Sequence, residues 1–556
     1  MAKRKIDDPR PGVLEWLRHP SPRGKLYTFV AVSILSSLYL TVSTIWNDRD
    51  LLPKSHDEHS YAIQTQMIAR GRLWMPQHEL ADFFESFQML ARPVYASIYF
   101  PGSALMYAPG VWLSLPPWVM PVIVSGLACG LAYLLTTRLI DGLAGLLVVL
   151  LLLACQWFRL NATLVMSQSP MMLLGLGMLL AWLRWRETKE TRWAALIGAC
   201  AGWAAIVRPV DALAFALPVG AAMLWDLRGL STRRIGTIVG AVVLVATPFL
   251  SLELMLNKGT TGHWFQAPHT LYLQRDQPQT TYGFHTPDPQ ARPQSTLAQK
   301  QAYYAKFMVP DVQRHQLSNL SSIVLERLKL TADVALPTKL LLILVVPGIF
   351  CVRDVPRAVM TAVPMLFFVL YVPYTFYMTH YVIPIIVPLL VLVVLGVERI
   401  ATWVSTPARR ERVRVIGAGV LAVIALGSLP ELNPLVEDDL IFAPKTTLIR
   451  RWIADAVQPP AVVLVRYEPG ENTHDEPVYN ETVAWTDDAP VIVAHDLGSR
   501  NIELLSYYER VSPGRNYYLI DRATLKPQGP GRAADLAAAV KRMPATTPAA
   551  ASQGSE

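Results

Sequence analysis

The chain has 556 residues, 52% hydrophobic and 17% charged, with a mean hydropathy of +0.30. That is too apolar for a soluble protein of this length and reads as a polytopic membrane protein. The net charge of +8 does not describe a nucleic-acid surface, because Lys and Arg sit in short segments between apolar runs and act as topology signals. Cys129, Cys155, Cys200 and Cys351 all fall within or at the ends of apolar runs, so the polar segments have no disulfide framework.

A basic start (Lys3, Arg4, Lys5, Arg10, Arg18, Arg23, Lys25) precedes an uncharged run over 26–46. Its 21 residues reach across a bilayer core of roughly 30 Å at about 1.5 Å per residue. The run is longer than a signal-peptide core and lacks a small-x-small cleavage site, so it is expected to remain as an anchor with 1–25 in the cytoplasm. Residues 47–117 form an outer loop, in which the aromatic, proline-broken stretch over 93–118 reads as interface segments.

Further apolar runs lie near 118–137, 142–158, 164–183, 193–207, 212–225, 235–252, 336–352, 358–377, 381–397 and 415–430, making eleven candidate spans with the first. Arg138, the cluster Arg184 to Arg192, Arg228 to Arg234, Arg353 with Arg357, and Arg409 to Arg414 all fall on one side, which the positive-inside rule makes cytoplasmic. The loop over 257–335 then faces outward. So does the segment 431–531, where Ala461 to Tyr467, Val491 to Ala494 and Asn516 to Ile520 read as strands and Asn501 to Arg510 as a helix. The Ala/Pro/Gln/Ser-rich stretch over 532–556 is expected to be disordered.

The densest group of ionisable side chains after a span is Ser55 to Tyr61. Asp57 and Glu58 are adjacent and point about 100° apart on a helix, so one of them faces a given cavity, and Asp57 is the candidate general base. His56 and His59 flank the pair and are candidate ligands for a divalent metal, although their spacing matches no metal motif. Arg208 and Asp211, three residues apart, either pair with each other or leave Arg208 to grip a lipid phosphate. Lys258, Arg275, His380 and Tyr381 sit at outer boundaries, where a phosphate contact and a snorkelling interface residue look alike.

The pattern resembles the glycosyltransferase C (GT-C) superfamily, in the branch of protein O-mannosyltransferases and lipid A aminoarabinose transferases. The resemblance rests on Asp57-Glu58 after the first span, Tyr61, Gly71, Ser97 to Gly102, Gly202 to Pro209 ending in Val-Arg-Pro, Thr261-Gly262, Gly283-Phe284 and His380 to Pro384. It covers about residues 25–400. It implies a GT-C transmembrane domain over 26–430, about eleven membrane helices, followed by a small α/β extracytoplasmic domain. It also implies inverting transfer of a hexose or pentose from a polyprenyl-phosphate donor to a protein, lipid or glycan at the outer face of a bacterial inner membrane, with Asp57 as base. Many relatives carry a second acid where this chain reads Met166-Ser-Gln-Ser-Pro170, with Ser167 or Ser169 at the matching place. A hydroxyl there hydrogen-bonds but cannot serve as a carboxylate base. Two other classes remain open at this stage. A transporter or flippase would need polar groups near mid-membrane, which are nearly absent; a non-catalytic assembly scaffold would keep the fold without the chemistry.

Overall fold

The computed structural model describes residues 13–47, 49, 51–430 and 444–532. Residues 1–12 of the start read as cytoplasmic, the stretch 431–443 of the segment read as an outer domain, and the tail from 533 lie outside the described residues.

Helix occupies each of the eleven apolar runs. Among the described residues, five helices are long and apolar enough to cross a membrane: Pro22–Trp46, Val119–Leu139, Pro209–Leu227, Thr232–Thr261 and Thr379–Ala401. Other runs depart from a straight span for local reasons. Thr191–Ala205 has 15 residues and is therefore about 22 Å long at about 1.5 Å per residue, short of a hydrocarbon core of roughly 30 Å. The run over 142–158 is cut at Cys155, whose extended backbone separates Gly142–Ala154 from Gln156–Asn161. The pattern places one span over 336–352, and the structure has instead a bent pair, Leu317–Ala335 with Lys339–Ile349, meeting at 110°. Pro337 explains the break: it has no backbone N–H, and its ring pushes the preceding residue out of helical conformation.

The helices share one apolar core that includes Tyr133, Leu151, Trp182, Phe215, Phe367 and Val391. Two small sheets lie outside it. Strands β1 (Met75–Pro76), β2 (Met89–Leu90) and β3 (Val94–Ser97) pair antiparallel in the order β1-β3-β2. Nearer the C-terminus, β4 (Ala461–Arg466), β5 (Val491–His495), β6 (Asn516–Asp521) and β7 (Lys526–Gly531) form a sheet of order β5-β4-β6-β7. The near-continuous apolar sequence of β4 suits its place between two parallel neighbours, and β7 adds antiparallel at the edge. The helix Asn501–Val511 covers one face through Leu504, Leu505 and Tyr508.

The early loop and the C-terminal sheet are packed into one another. Phe83 and Phe84 join the cluster of Val462, Leu464, Tyr508 and Tyr517. At the junction, buried Lys300 donates from Nζ to Glu85 Oε1 at 3.0 Å and to Asp276 Oδ2 at 2.7 Å. Burial disfavours the ammonium, but Tyr272, Asp276 and Glu85 together outweigh it and hold Lys300 above the ordinary lysine range. Beside it, Gln299 donates to Glu476 at 3.1 Å, and His495 Nε2 donates to the carbonyl of Glu85 at 2.6 Å. Lys300→Met strands two carboxylates in this junction and is expected to lower stability by about 3–5 kcal/mol, read as an earlier thermal unfolding of the purified protein.

Candidate active site

The helix His56–Ala69 starts where it does because of a capping box. Ser55 Oγ accepts from the backbone N–H of Glu58 at 3.3 Å, and Glu58 Oε2 accepts in return from the N–H groups of Ser55 at 3.3 Å and Lys54 at 3.1 Å. Glu58 Oε1 also accepts from Val165 N at 3.4 Å. Glu58 is thus spent on the cap, and its neighbour Asp57 faces a cavity of about 570 Å³. Tyr99 donates its hydroxyl to Asp57 Oδ1 at 2.5 Å, and the Tyr99 ring is held by stacking on Tyr61 at 4.3 Å. Burial raises the Asp57 pKa above the ordinary carboxylate range, while the Tyr99 hydrogen bond and the charge of Arg208 oppose that rise.

Arg208 lines the same cavity. It caps the helix Pro209–Leu227, its Nε bonded to Asp211 Oδ2, one terminal nitrogen donating to Ser167 Oγ at 3.2 Å and the other to the Tyr371 hydroxyl at 2.9 Å. Tyr371 in turn donates to Asp211. The guanidinium carbon lies 4.7 Å from the Tyr381 ring centre. The structure has the Arg208–Asp211 pair, and because a guanidinium has five N–H donors, two are not used by Asp211, Ser167 and Tyr371. Gly102 brings the motif Ser97 to Gly102 onto this turn, its N–H donating to the Ile206 carbonyl at 2.7 Å. A Cβ there would fall 2.5 Å from the Ile206 oxygen, which no larger residue tolerates.

His380, Tyr381 and Ser167 also line the cavity. Ser169 does not; it is buried and accepts from Ser125 Oγ at 2.8 Å. Lys258 folds back on its own helix end, donating to the Gly262 carbonyl at 2.7 Å, and Arg275 donates to the Arg92 carbonyl at 2.9 Å. Neither lines the cavity. His56 and His59 do not converge on a metal. His56 stacks on Phe87 at 4.3 Å and hydrogen-bonds the Tyr479 hydroxyl at 3.0 Å, whereas His59 stacks on Tyr479 at 4.4 Å and accepts from Arg450 at 3.3 Å. Among the described residues no group of three or more His, Cys, Asp or Glu side chains could hold a metal ion. The candidate metal ligands His56 and His59 are thus not joined by a third such side chain among the described residues, and the helix packs these rings against the C-terminal unit.

Several lining residues escaped the sequence pattern. Tyr99 and Tyr61 sit within motifs but carried no signal of contact with Asp57. Tyr303 and Tyr374 come from later segments, and His474 comes from the C-terminal unit. His474 lies with its ring 6.0 Å from His56 and 4.7 Å from Phe307. A second cavity of about 630 Å³ shares Leu330, Phe376, Tyr377 and Met378 with the first and carries Asp311, Arg314, Glu326 and Arg327 on its walls.

No protein-family model and no curated protein sequence matches the chain. Solved structures resemble it at low identity. ArnT from Cupriavidus metallidurans bound to undecaprenyl phosphate is 14% identical, with 92% of this chain and 97% of that chain covered and a TM-score of 0.49. The apo oligosaccharyltransferase of Archaeoglobus fulgidus is 13% identical, with 89% and 69% covered and a TM-score of 0.48. Arabinofuranosyltransferase AftD from Mycobacteria is 14% identical, with 90% and 37% covered and a TM-score of 0.36. The chemistry of the cavity stands on its own residues.

Burial first, then the neighbouring His474, holds His56 well below the ordinary imidazole range; burial first, then Arg450, does the same for His59. With folded pKa values below the unfolded value of about 6.5, these rings stay neutral in the folded state while the unfolded chain takes up protons. Stability is therefore fully present above about pH 6.5 and declines as pH falls below it. Replacing both rings by Phe is expected to flatten that part of the unfolding-temperature profile between about pH 6.5 and pH 5.

Proposed function

We propose that the chain is an integral membrane glycosyltransferase that moves a hexose or pentose from a polyprenyl-phosphate donor to an acceptor hydroxyl on a protein, lipid or glycan. The site faces the extracytoplasmic side of a bacterial inner membrane, the N-terminus lies in the cytoplasm, and the surrounding lipids are the donor's milieu. The observation that carries this reading is that Asp57 and Arg208, from distant parts of the chain, line one cavity.

The steps follow from the chemistry of those groups. The acceptor oxygen attacks the anomeric carbon from the side of Asp57 as its proton passes to the carboxylate, and the bond from that carbon to the phosphate oxygen breaks. Attack opposite the leaving group inverts the anomeric centre. The departing phosphate keeps the electron pair, and the two remaining N–H groups of Arg208 stabilise it, with His380 and Tyr381 alongside. Tyr99 opposes the effect of burial by favouring the basic form of Asp57, and it fixes the orientation of the carboxylate. No step requires a second carboxylate, which agrees with the hydroxyl of Ser167 bonded to Arg208.

Asp57→Asn keeps the size of the side chain and removes the base. In lipid nanodiscs with a radiolabelled polyprenyl-phosphate sugar, transfer is expected to fall by roughly 10²–10⁴. Undiminished transfer would clear Asp57, and no turnover by the wild type with any donor or acceptor would favour a scaffold. Tyr99→Phe removes a bond that lowers the Asp57 pKa, so the acid limb of the rate-against-pH profile is expected to move to higher pH while transfer persists above it.

A further inference from the structure

Two buried carboxamides on the cavity wall have no partner in the fold. Asn161 is 3% exposed and Gln168 is 1% exposed. Both line the cavity, yet neither Nδ2 nor Oδ1 of Asn161, nor Oε1 of Gln168, has a hydrogen-bond partner. Exchanging the nitrogen and oxygen of Asn161 changes nothing, since both atoms are unpaired. A fold gains nothing by burying such groups, and apolar side chains of similar size would be more stable there.

The segment that carries them is fixed on both sides. Asn161 ends the helix Gln156–Asn161 and Gln168 opens the helix Gln168–Thr188. Between them, Val165 N donates to Glu58 at 3.4 Å and the Tyr107 hydroxyl donates to the Met166 carbonyl at 2.7 Å. Ser167 receives Arg208 at 3.2 Å. The carboxamides are thus tied to the helix that carries Asp57, and Gln168 follows directly the residue that holds the guanidinium. Their terminal torsions are soft, so either group can turn to a ligand without moving the backbone.

We infer that Asn161 and Gln168 form the subsite for the transferred sugar and bind its ring hydroxyls, beside the Arg208 position that takes the phosphate. This rests on the donor reading proposed above. The hydrogen-bond inventory selects the ligand. A phosphate offers acceptors only and leaves Asn161 Oδ1 unpaired; a cation does the same to Nδ2. A hydroxyl donates and accepts, and neighbouring hydroxyls on a ring satisfy all three atoms. Because the groups are neutral, they recognise an uncharged polyhydroxy face of the sugar. The sugar is joined to the phosphate through its anomeric carbon, so its ring must lie next to the phosphate, as Gln168 lies next to Ser167.

The test compares the wild type with Asn161→Leu and Gln168→Met, singly and together, in full-length protein in nanodiscs. Binding of undecaprenyl phosphate, an undecaprenyl-phosphate hexose or pentose, and the matching methyl glycosides is measured by native mass spectrometry. The double variant is expected to bind the sugar-free lipid like the wild type, to bind the glycosylated lipid about tenfold more weakly or worse, and to unfold no earlier. Equal binding of the glycosylated lipid, or equal loss of both lipids, overturns the subsite. If the wild type binds only the methyl glycoside and the variants lose it, the subsite stands and the lipid-donor reading falls. If the wild type binds none of the probes, both fall.

Discussion

Glu58 ties the first turn of its own helix to what surrounds it: it accepts from Ser55 and Lys54 just ahead of the helix and from Val165 beside the cavity. Everything around the cavity depends on that anchorage. A helix N-terminus carries unpaired N–H groups, and a carboxylate in the first turn satisfies them readily. With two adjacent carboxylates there, the cap could have taken both. The reciprocal bond with Ser55 assigns the task to Glu58, and the 100° step to Asp57 points the second carboxylate into the cavity. The Val165 contact then couples the cap to the turn before the helix Gln168–Thr188, so Asp57, the Arg208 network and the two carboxamides share one frame.

Arg208 shows how a cation is kept useful beside an apolar bundle. Alone, it would carry a large desolvation cost; with Asp211, Ser167 and Tyr371 around it, the charge is compensated and its plane is fixed. Tyr371 bonds both members of the pair, which ties the helix Val355–Tyr371 to the start of Pro209–Leu227. Lysine at this place could not reach three partners in a plane and still face the cavity.

Local features were legible in the sequence. The apolar runs mark the helices because membrane-spanning segments follow from length and hydropathy, and Asp57 stands out because it follows a span directly. The break at Pro337 was also written in the chain, but a hydropathy run gives no weight to a single ring without an N–H. Ser55 and Glu58 form a capping-box spacing, which would have separated the roles of the two acids. What could not be read was contact between distant segments. Nothing near Tyr99 says that it meets Asp57, and nothing in the C-terminal unit says that His474 reaches the cavity. Lys258 and Arg275 carry the same charge and boundary position as Arg208, and only the folded geometry separates two carbonyl-bound cations from one on the cavity wall.

His56 and Tyr479 touch across 423 positions of sequence. The packing of His56 beside Asp57 thus waits for Tyr479, made 423 positions later. Every helix of the shared apolar core can be made while His56 and Phe87 still lack Tyr479 and His474 is absent from the wall. Synthesis of the segment that carries His474 and Tyr479 is therefore also the event that closes the wall beside Asp57, so a product stalled before it would hold its apolar helices and still leave Asp57 on an unfinished surface.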